Sequence, residues 1–340
     1  MATSETPAAT RPFPTTGPLP AGLVLRHLRP PGDYAPMNAV ANAIREAEGE
    51  TFYTTDEQFA KFYENLSRCD PATDVAIAEI GGQVVGYGRA AWHEELDGTR
   101  IYEVIPFVDP KVAGQDVFVA MVDAIEARAR AIAAGDPSGP KELETFGGDL
   151  APERDALLQA AGYQPVRFFY SMVRPSVDDL PGAPLPEGLE IREVQPEHMP
   201  IIWAADQEAF RDHWGYTPST DADYQLFLTD PVMTDTSLWR IAWEGDEVAG
   251  QVRSYISDEE NARHARLRGY TEHISVRRPW RRRGLARALI AASFPLLRAR
   301  GMTEAALGVD TENTSGALRV YESCGFRPVS RSATYRKPLA

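Results

Sequence analysis

The chain has 340 residues, 43% hydrophobic and 25% charged, which is enough for about two globular domains and too apolar for a chain disordered throughout. Its 35 Lys and Arg stand against 49 Asp and Glu, and a formal charge of -14 disfavours nucleic acid as a partner of the whole surface. No run approaches the roughly 18 consecutive apolar residues that a membrane helix needs, so no membrane partner is expected.

From the N-terminus, residues 1–21 are rich in Pro, Thr and Ala and lack the apolar stretch of a signal peptide, which predicts a disordered leader and a cytoplasmic protein. Alternating apolar and polar residues from Gly22 to Arg26 predict a strand, and Ala78 to Gly86 predict two strands joined by a glycine turn. The two cysteines, Cys69 and Cys324, are far apart and outside any ligand spacing. Both read as free thiols in a reducing compartment, with no metal site. Pro175 to Gly188 is a Pro/Gly/Asp-rich run without apolar periodicity, which predicts a linker over 176–187.

Beyond the linker the same signals return. Gly22-Leu-Val-Leu-Arg26 recurs as Gly188-Leu-Glu-Ile-Arg192 at an offset of 166, and Ala78 to Gly86 recurs as Ala242 to Gly250 at an offset of 164. Ala161-Gly162-Tyr163-Gln164-Pro165 recurs as Cys324-Gly325-Phe326-Arg327-Pro328 at an offset of 163. Anchors repeating in one order predict a tandem duplication, with domains at 22–175 and 188–338. Each copy reads strand, helical region, hairpin, strand, helix, strand, helix, strand, which implies helices on a mixed sheet.

Positive charge gathers between Thr271 and Arg287. Glu272 to Val276 predict a strand stopped by Pro279, and Leu285, Leu289, Ala292 and Leu296 mark a helix from Gly284 to Arg300. Pro295 is expected to kink or shorten that helix near Phe294. The strand-to-helix loop then leaves unpaired first-turn N–H groups with the positive end of the helix dipole behind them. Gly284 and Ala286 permit close approach and the arginines offer forks, so the loop reads as a pyrophosphate seat. Further on, Ser315 is expected to cap a short helix with Ala317, Tyr321 and Cys324 on one face, closed by Gly325.

Arg281, Gly284 and Ala286 fill a Q/R-x-x-G-x-G/A pattern that resembles the acetyl-CoA loop of the GNAT superfamily of N-acetyltransferases. Asn313, Ala317, Tyr321 and Gly325-Phe326 resemble that family's second signature, N-x-x-A-x-x-x-Y-x-x-x-G-F, with both spacings intact. The resemblance implies an α/β fold of two tandem GNAT-like domains, each a mixed, mostly antiparallel sheet flanked by helices. It implies acetyl-CoA as cosubstrate, held by Ile274, Ser275 and Val276, by Arg281, Arg282, Arg283, Gly284, Leu285, Ala286 and Arg287, and by Asn313. It implies Tyr321 as the general acid and the Val276 N–H as donor to the acetyl carbonyl. From the residues alone Tyr321 also suits a core aromatic and Asn313 a turn. Glu272 is the candidate base, directly or through water, and reads equally as a strand-face charge, with His273 on the opposite face.

Aligned by the repeat, Tyr321 falls on Leu158 and Asn313 on Leu150, while the loop counterpart from Lys111 to Asp116 puts a carboxylate where a pyrophosphate would lie. A degenerate first copy and a catalytic second copy follow, a layout similar to that of mycothiol synthase. Phe210-Arg-Asp-His-Trp-Gly-Tyr216, with Asp221 and Asp223, suits a cationic amine of ring or sugar character, or an amphipathic helix end. Trp92, His93, Glu94 and Glu95 form a similar mixture in the first copy. The expected activity is acetyl transfer from acetyl-CoA to a primary amine of a small molecule, a metabolite or antibiotic, by direct attack. The alternatives are a mycothiol-synthase-like acetyltransferase and a non-catalytic acyl-CoA-binding or scaffold protein. The partner is expected to be the small amine and not a nucleic acid, with the chain a monomer or homodimer.

Overall fold

A computed structural model describes residues 12–49, 53–136, 139–230, 233, 235–313 and 315–339. The first half runs β1 (Leu23–His27), α1 (Tyr34–Ala47), α2 (Asp56–Glu64), α3 (Pro71–Asp74), β2 (Val75–Ile80), β3 (Gln83–Glu94), β4 (Arg100–Val108), α4 (Gln115–Ala133), β5 (Lys141–Gly148), α5 (Pro152–Ala160) and β6 (Gln164–Arg174). The second runs β7 (Glu190–Arg192), α6 (Met199–Phe210), α7 (Asp221–Thr229), β8 (Trp239–Glu244), β9 (Glu247–Ile256), α8 (Asp258–Arg263), β10 (Arg268–Val276), α9 (Leu285–Ala299), β11 (Glu304–Asp310), α10 (Ala317–Ser323) and β12 (Arg327–Pro338).

Local chemistry accounts for these elements. Gly81 and Gly82 supply the positive φ values, 59° and 82°, that a tight β2–β3 turn requires. Thr55 with Gln58 and Thr220 with Asp223 form capping boxes that start α2 and α7. The apolar face of α4, including Phe118, Met121 and Ile125, is buried in the first core, and Leu285, Leu289, Phe294 and Leu297 of α9 are buried in the second. Helix α9 continues through Pro295 to Ala299, so the proline does not shorten it. One turn N-terminal of the proline, Arg240 Nε donates to the Ala292 carbonyl at 3.3 Å, tying α9 to β8.

The strands form one twelve-stranded sheet in the order β1-β2-β3-β4-β5-β12-β6-β11-β10-β9-β8-β7. Its pairings are antiparallel except β4 with β5 and β10 with β11. The last strand of each half crosses over. β6 pairs with β11 and β12, and β12 pairs with β5 and β6, so the two halves share their central strands.

Two expectations for the connecting segments change. Of the leader over 1–21, residues 1–11 lie outside the described residues, but Phe13 is 3% exposed in the first core and its N–H bonds the Leu25 carbonyl at 2.9 Å. The linker over 176–187 is packed rather than free: Val177 is buried, and Leu180 and Leu185 rest on the second core. Among the described residues no helix is long and apolar enough to cross a membrane.

Candidate active site

Strands β10 and β11 pair only through Arg268–Tyr270 and Glu304–Ala306, and then part. A bulge in β10 between Glu272 and Ser275 re-aims the strand at that opening. His273 takes a left-handed φ of 47° there, which a non-glycine residue adopts only under local constraint. Strict alternation would set His273 on the face opposite Glu272, and the bulge defeats it. Glu272 lies across from Arg253 in the ladder, Arg253 Nη2 donates to Asp206 Oδ2 at 2.7 Å, and His273 Nδ1 is 3.5 Å from that same oxygen. Both residues therefore face α6.

The Asp206 network was invisible to the periodicity reading, although Gln251 and Arg253 in the middle of an apolar strand are its sequence signal. Gln251 Nε2 and Ser275 Oγ each donate to Asp206 Oδ1 at 3.0 Å, and all four side chains are buried. A buried carboxylate survives here because it is paired and hydrogen-bonded. The Ser275 side chain is thus turned toward α6.

A cleft of about 1170 Å³ opens between the bulge, the head of α9 and α10. Ile274, Ser275, Val276, Arg281, Arg282, Gly284, Leu285, Ala286, Arg287, Asn313 and Tyr321 all reach its wall. Arg277 N–H bonds the Ala249 carbonyl at 3.0 Å, so by the alternation of an antiparallel ladder the Val276 N–H points away from β9, into the opening. Gly284 heads α9 with φ 84°, no side chain caps the first turn, and a Cβ there would meet nothing within 4 Å. The first-turn N–H groups consequently face open space, a cradle suited to the phosphates of acetyl-CoA.

The arginines divide. Arg281 donates to the Val276 and Ala209 carbonyls at 2.9 and 3.0 Å and pairs with Asp212 at 2.7 Å, so it clasps the loop to α6 instead of offering a free fork. Arg283 leaves the cleft wall and donates to the Glu187 carbonyl, and Arg287 is tied to Ser323 and the Pro181 carbonyl. Among the described residues Arg282, exposed with φ 62°, is the arginine of this loop without a side-chain hydrogen bond or ion pair. Leu285 is 2% exposed, and its side chain belongs to the core.

Glu272 sits in the gap where β10 and β11 separate, off the cleft wall, and accepts the Gly308 N–H at 3.0 Å. Burial pushes its carboxyl up to about 7, outweighing that hydrogen bond. Tyr321 is buried beneath the cleft, and burial drives its hydroxyl well above the ordinary range, with the Glu272 charge adding to the effect. Helix α10 starts at Gly316, φ 79°, without a side-chain cap, and Ser315 instead donates its N–H to Asn313 Oδ1 at 2.7 Å. Gly325 does close the helix at φ 92°.

The acidic side chains around the expected acceptor segment are largely spoken for. Hydrogen bonds from Arg278 and Arg281 hold Asp212 well below the usual carboxylate range, and Asp223 caps α7. His213 lines the cleft, with Nε2 at 3.5 Å from Asn313 Nδ2. In the first half Asp116 accepts the Val117 N–H at the head of α4, and Leu158 is buried where Tyr321 stands in the second half.

A family model described as "Acetyltransferase (GNAT) family" matches residues 199–326. A mycothiol acetyltransferase from Thermobispora bispora is 30% identical over 309 residues, spanning 90% of this chain and 97% of that protein. The chain belongs to the GNAT acetyltransferase family. A second mycothiol acetyltransferase, from Catenulispora acidiphila, is 24% identical over 89% of this chain and 95% of its own length. A GCN5-related N-acetyltransferase from Sphaerobacter thermophilus superposes with a TM-score of 0.70 at 25% identity, covering 94% of this chain and 97% of that one. The fold is also that of a tandem GNAT protein from the clavulanic acid biosynthesis pathway, with TM-score 0.62, 18% identity and coverage of 93% and 98%. The protein is therefore a GNAT acetyltransferase, and acetyl-CoA is the cosubstrate of that family.

Proposed function

We propose that the second half is the catalytic one and transfers an acetyl group from acetyl-CoA to a primary amine of a small molecule. The observation that carries this reading is the convergence of the Arg281–Arg287 loop, Val276, Asn313 and Tyr321 on one cleft. The α9 head and Arg282 hold the phosphates, and Asn313 holds the pantetheine arm. Acetyl-CoA supplies an activated acetyl thioester. Glu272 takes the proton of the attacking ammonium, directly or through water, and its pKa near ambient pH suits that task. The Val276 N–H donates to the carbonyl oxygen as charge builds on it. Tyr321, whose raised pKa keeps it protonated, gives its proton to the sulfur as the C–S bond breaks, and the phenolate takes back the second proton of the newly acylated nitrogen, leaving a neutral amide, free thiol and Tyr321 restored.

The amine precursor of mycothiol, a cysteine-bearing pseudodisaccharide, is the first acceptor to test, because proteins named mycothiol acetyltransferase match over most of this chain. That acceptor carries its own thiol, so product is best followed by mass spectrometry. An acetylated precursor, or acetylation of another small amine in a panel, is expected with the unaltered chain. Tyr321→Phe should lower turnover by about 10²-fold or more while acetyl-CoA affinity holds. No acetylated amine, or full turnover by Tyr321→Phe, contradicts the reading.

A further inference from the structure

Residues 212–218, between α6 and α7, are tied to both halves of the chain. Toward the first half, Thr217 Oγ1 donates to the Glu94 carbonyl at 2.8 Å and Arg68 Nη2 donates to the Pro218 carbonyl at 2.5 Å. The guanidinium groups of Arg336 in β12 and Arg167 in β6 lie over the Trp214 indole at 4.3 and 5.7 Å. Toward the cleft, Asp212 grips Arg278 and Arg281, and His213 meets Asn313.

The contact between His213 and Asn313 fixes a protonation state. Asn313 Oδ1 is already engaged by the Ser315 N–H, so the amide presents its NH₂ group to the ring. A donor facing Nε2 requires that nitrogen to be unprotonated, and protonated His213 would set two donors against each other. Burial holds the imidazole below its ordinary range and Arg281 pushes the same way. Asp310 of β11, Asp212 of the same segment and Asp206 of α6 oppose them. The Phe210 ring covers the imidazole at 4.4 Å.

We propose that His213, in its neutral form, is a positioning residue that holds Asn313 for the cosubstrate, and that the first half of the chain sets its place through the 212–218 strap. This rests on the reading that the cleft takes acetyl-CoA. It gives the first half a part in the reaction without a ligand of its own.

The test is acetyl-CoA affinity, measured by calorimetry from acid to neutral pH, for the unaltered chain and for His213→Gln. Protonation of the cosubstrate phosphates affects both curves, so the difference between them reports His213. Below the His213 pKa the unaltered chain should lose up to about tenfold in affinity per pH unit relative to the variant. Trp214→Ala should weaken acetyl-CoA binding severalfold although its indole is off the cleft wall, and Thr217→Val serves as the milder variant should Trp214→Ala fail to fold. Superimposed pH curves overturn the role of His213, and unchanged affinity in the strap variants overturns the role of the first half. No binding by the unaltered chain at any pH would overturn the cleft reading and this proposal with it, whereas binding with superimposed curves overturns the proposal alone.

Discussion

Glu272 and Tyr321 are shifted by the same cause, and the roles proposed for them need opposite protonation states. Burial penalises the charged form of each, which brings the carboxyl to about 7 and keeps the phenol protonated. As the proposed base, Glu272 must be deprotonated in the free enzyme, so kcat/KM should rise as the pH passes upward through about 7. Glu272→Gln should remove that inflection and lower kcat/KM by about 10²-fold or more. A pH–rate profile of the two forms checks both points, and an unchanged inflection in the variant would assign it to another group. Gly284 was legible in the sequence because a strand-to-helix loop with close approach favours glycine, and it takes a φ of 84°, whereas Asn313 and Tyr321 were marked out by their match to the family's signature. The use of Arg281 was not. Its guanidinium is consumed by Val276, Ala209 and Asp212, partners that are distant in sequence or on another element.

Strand β10 carries the geometry that parts it from β11. Just past its bulge, Val276 lies across from Gly250 of β9, where an added Cβ would stand 2.8 Å from the Ser275 carbonyl oxygen and 3.2 Å from both Leu285 and Val276. The obstructing oxygen belongs to the backbone and cannot rotate aside. Gly250→Ala should therefore destabilise the protein by about 1–3 kcal/mol, as overpacking does, and displace the Val276 end of the cleft. Urea unfolding measures the first effect and acetyl-CoA affinity the second. Wild-type values for both would show that the strands accommodate the methyl group. Strand and helix identities here followed from apolar periodicity, but the bulge did not. An irregularity that moves His273 and Ser275 onto the α6 face depends on the Asp206 network, which no local pattern encodes.

Across the whole molecule, repeated anchors separated by 163 to 166 residues revealed the duplication, yet gave no hint that the halves trade final strands. Exchange changes which strand is the neighbour without changing any strand's own pattern, so composition and periodicity are blind to it. Its consequence is strong: in 188–340 made alone, β12 would lose both β5 and β6, and β11 would lose β6. That fragment should fail to give a cooperative unfolding transition by circular dichroism, whereas co-expression with 1–187 should restore one. A stable, cooperative fragment would mean that β11 and β12 can pair with each other. The same view of the molecule predicts a single cosubstrate site, since the head of α4 is already met by Asp116 while the head of α9 is open. Calorimetric titration with acetyl-CoA, repeated with Gly284→Glu, tests this most directly. One equivalent bound per chain, lost when a carboxylate enters the α9 cradle, is the expected result. Two equivalents, or binding that survives Gly284→Glu, would contradict it.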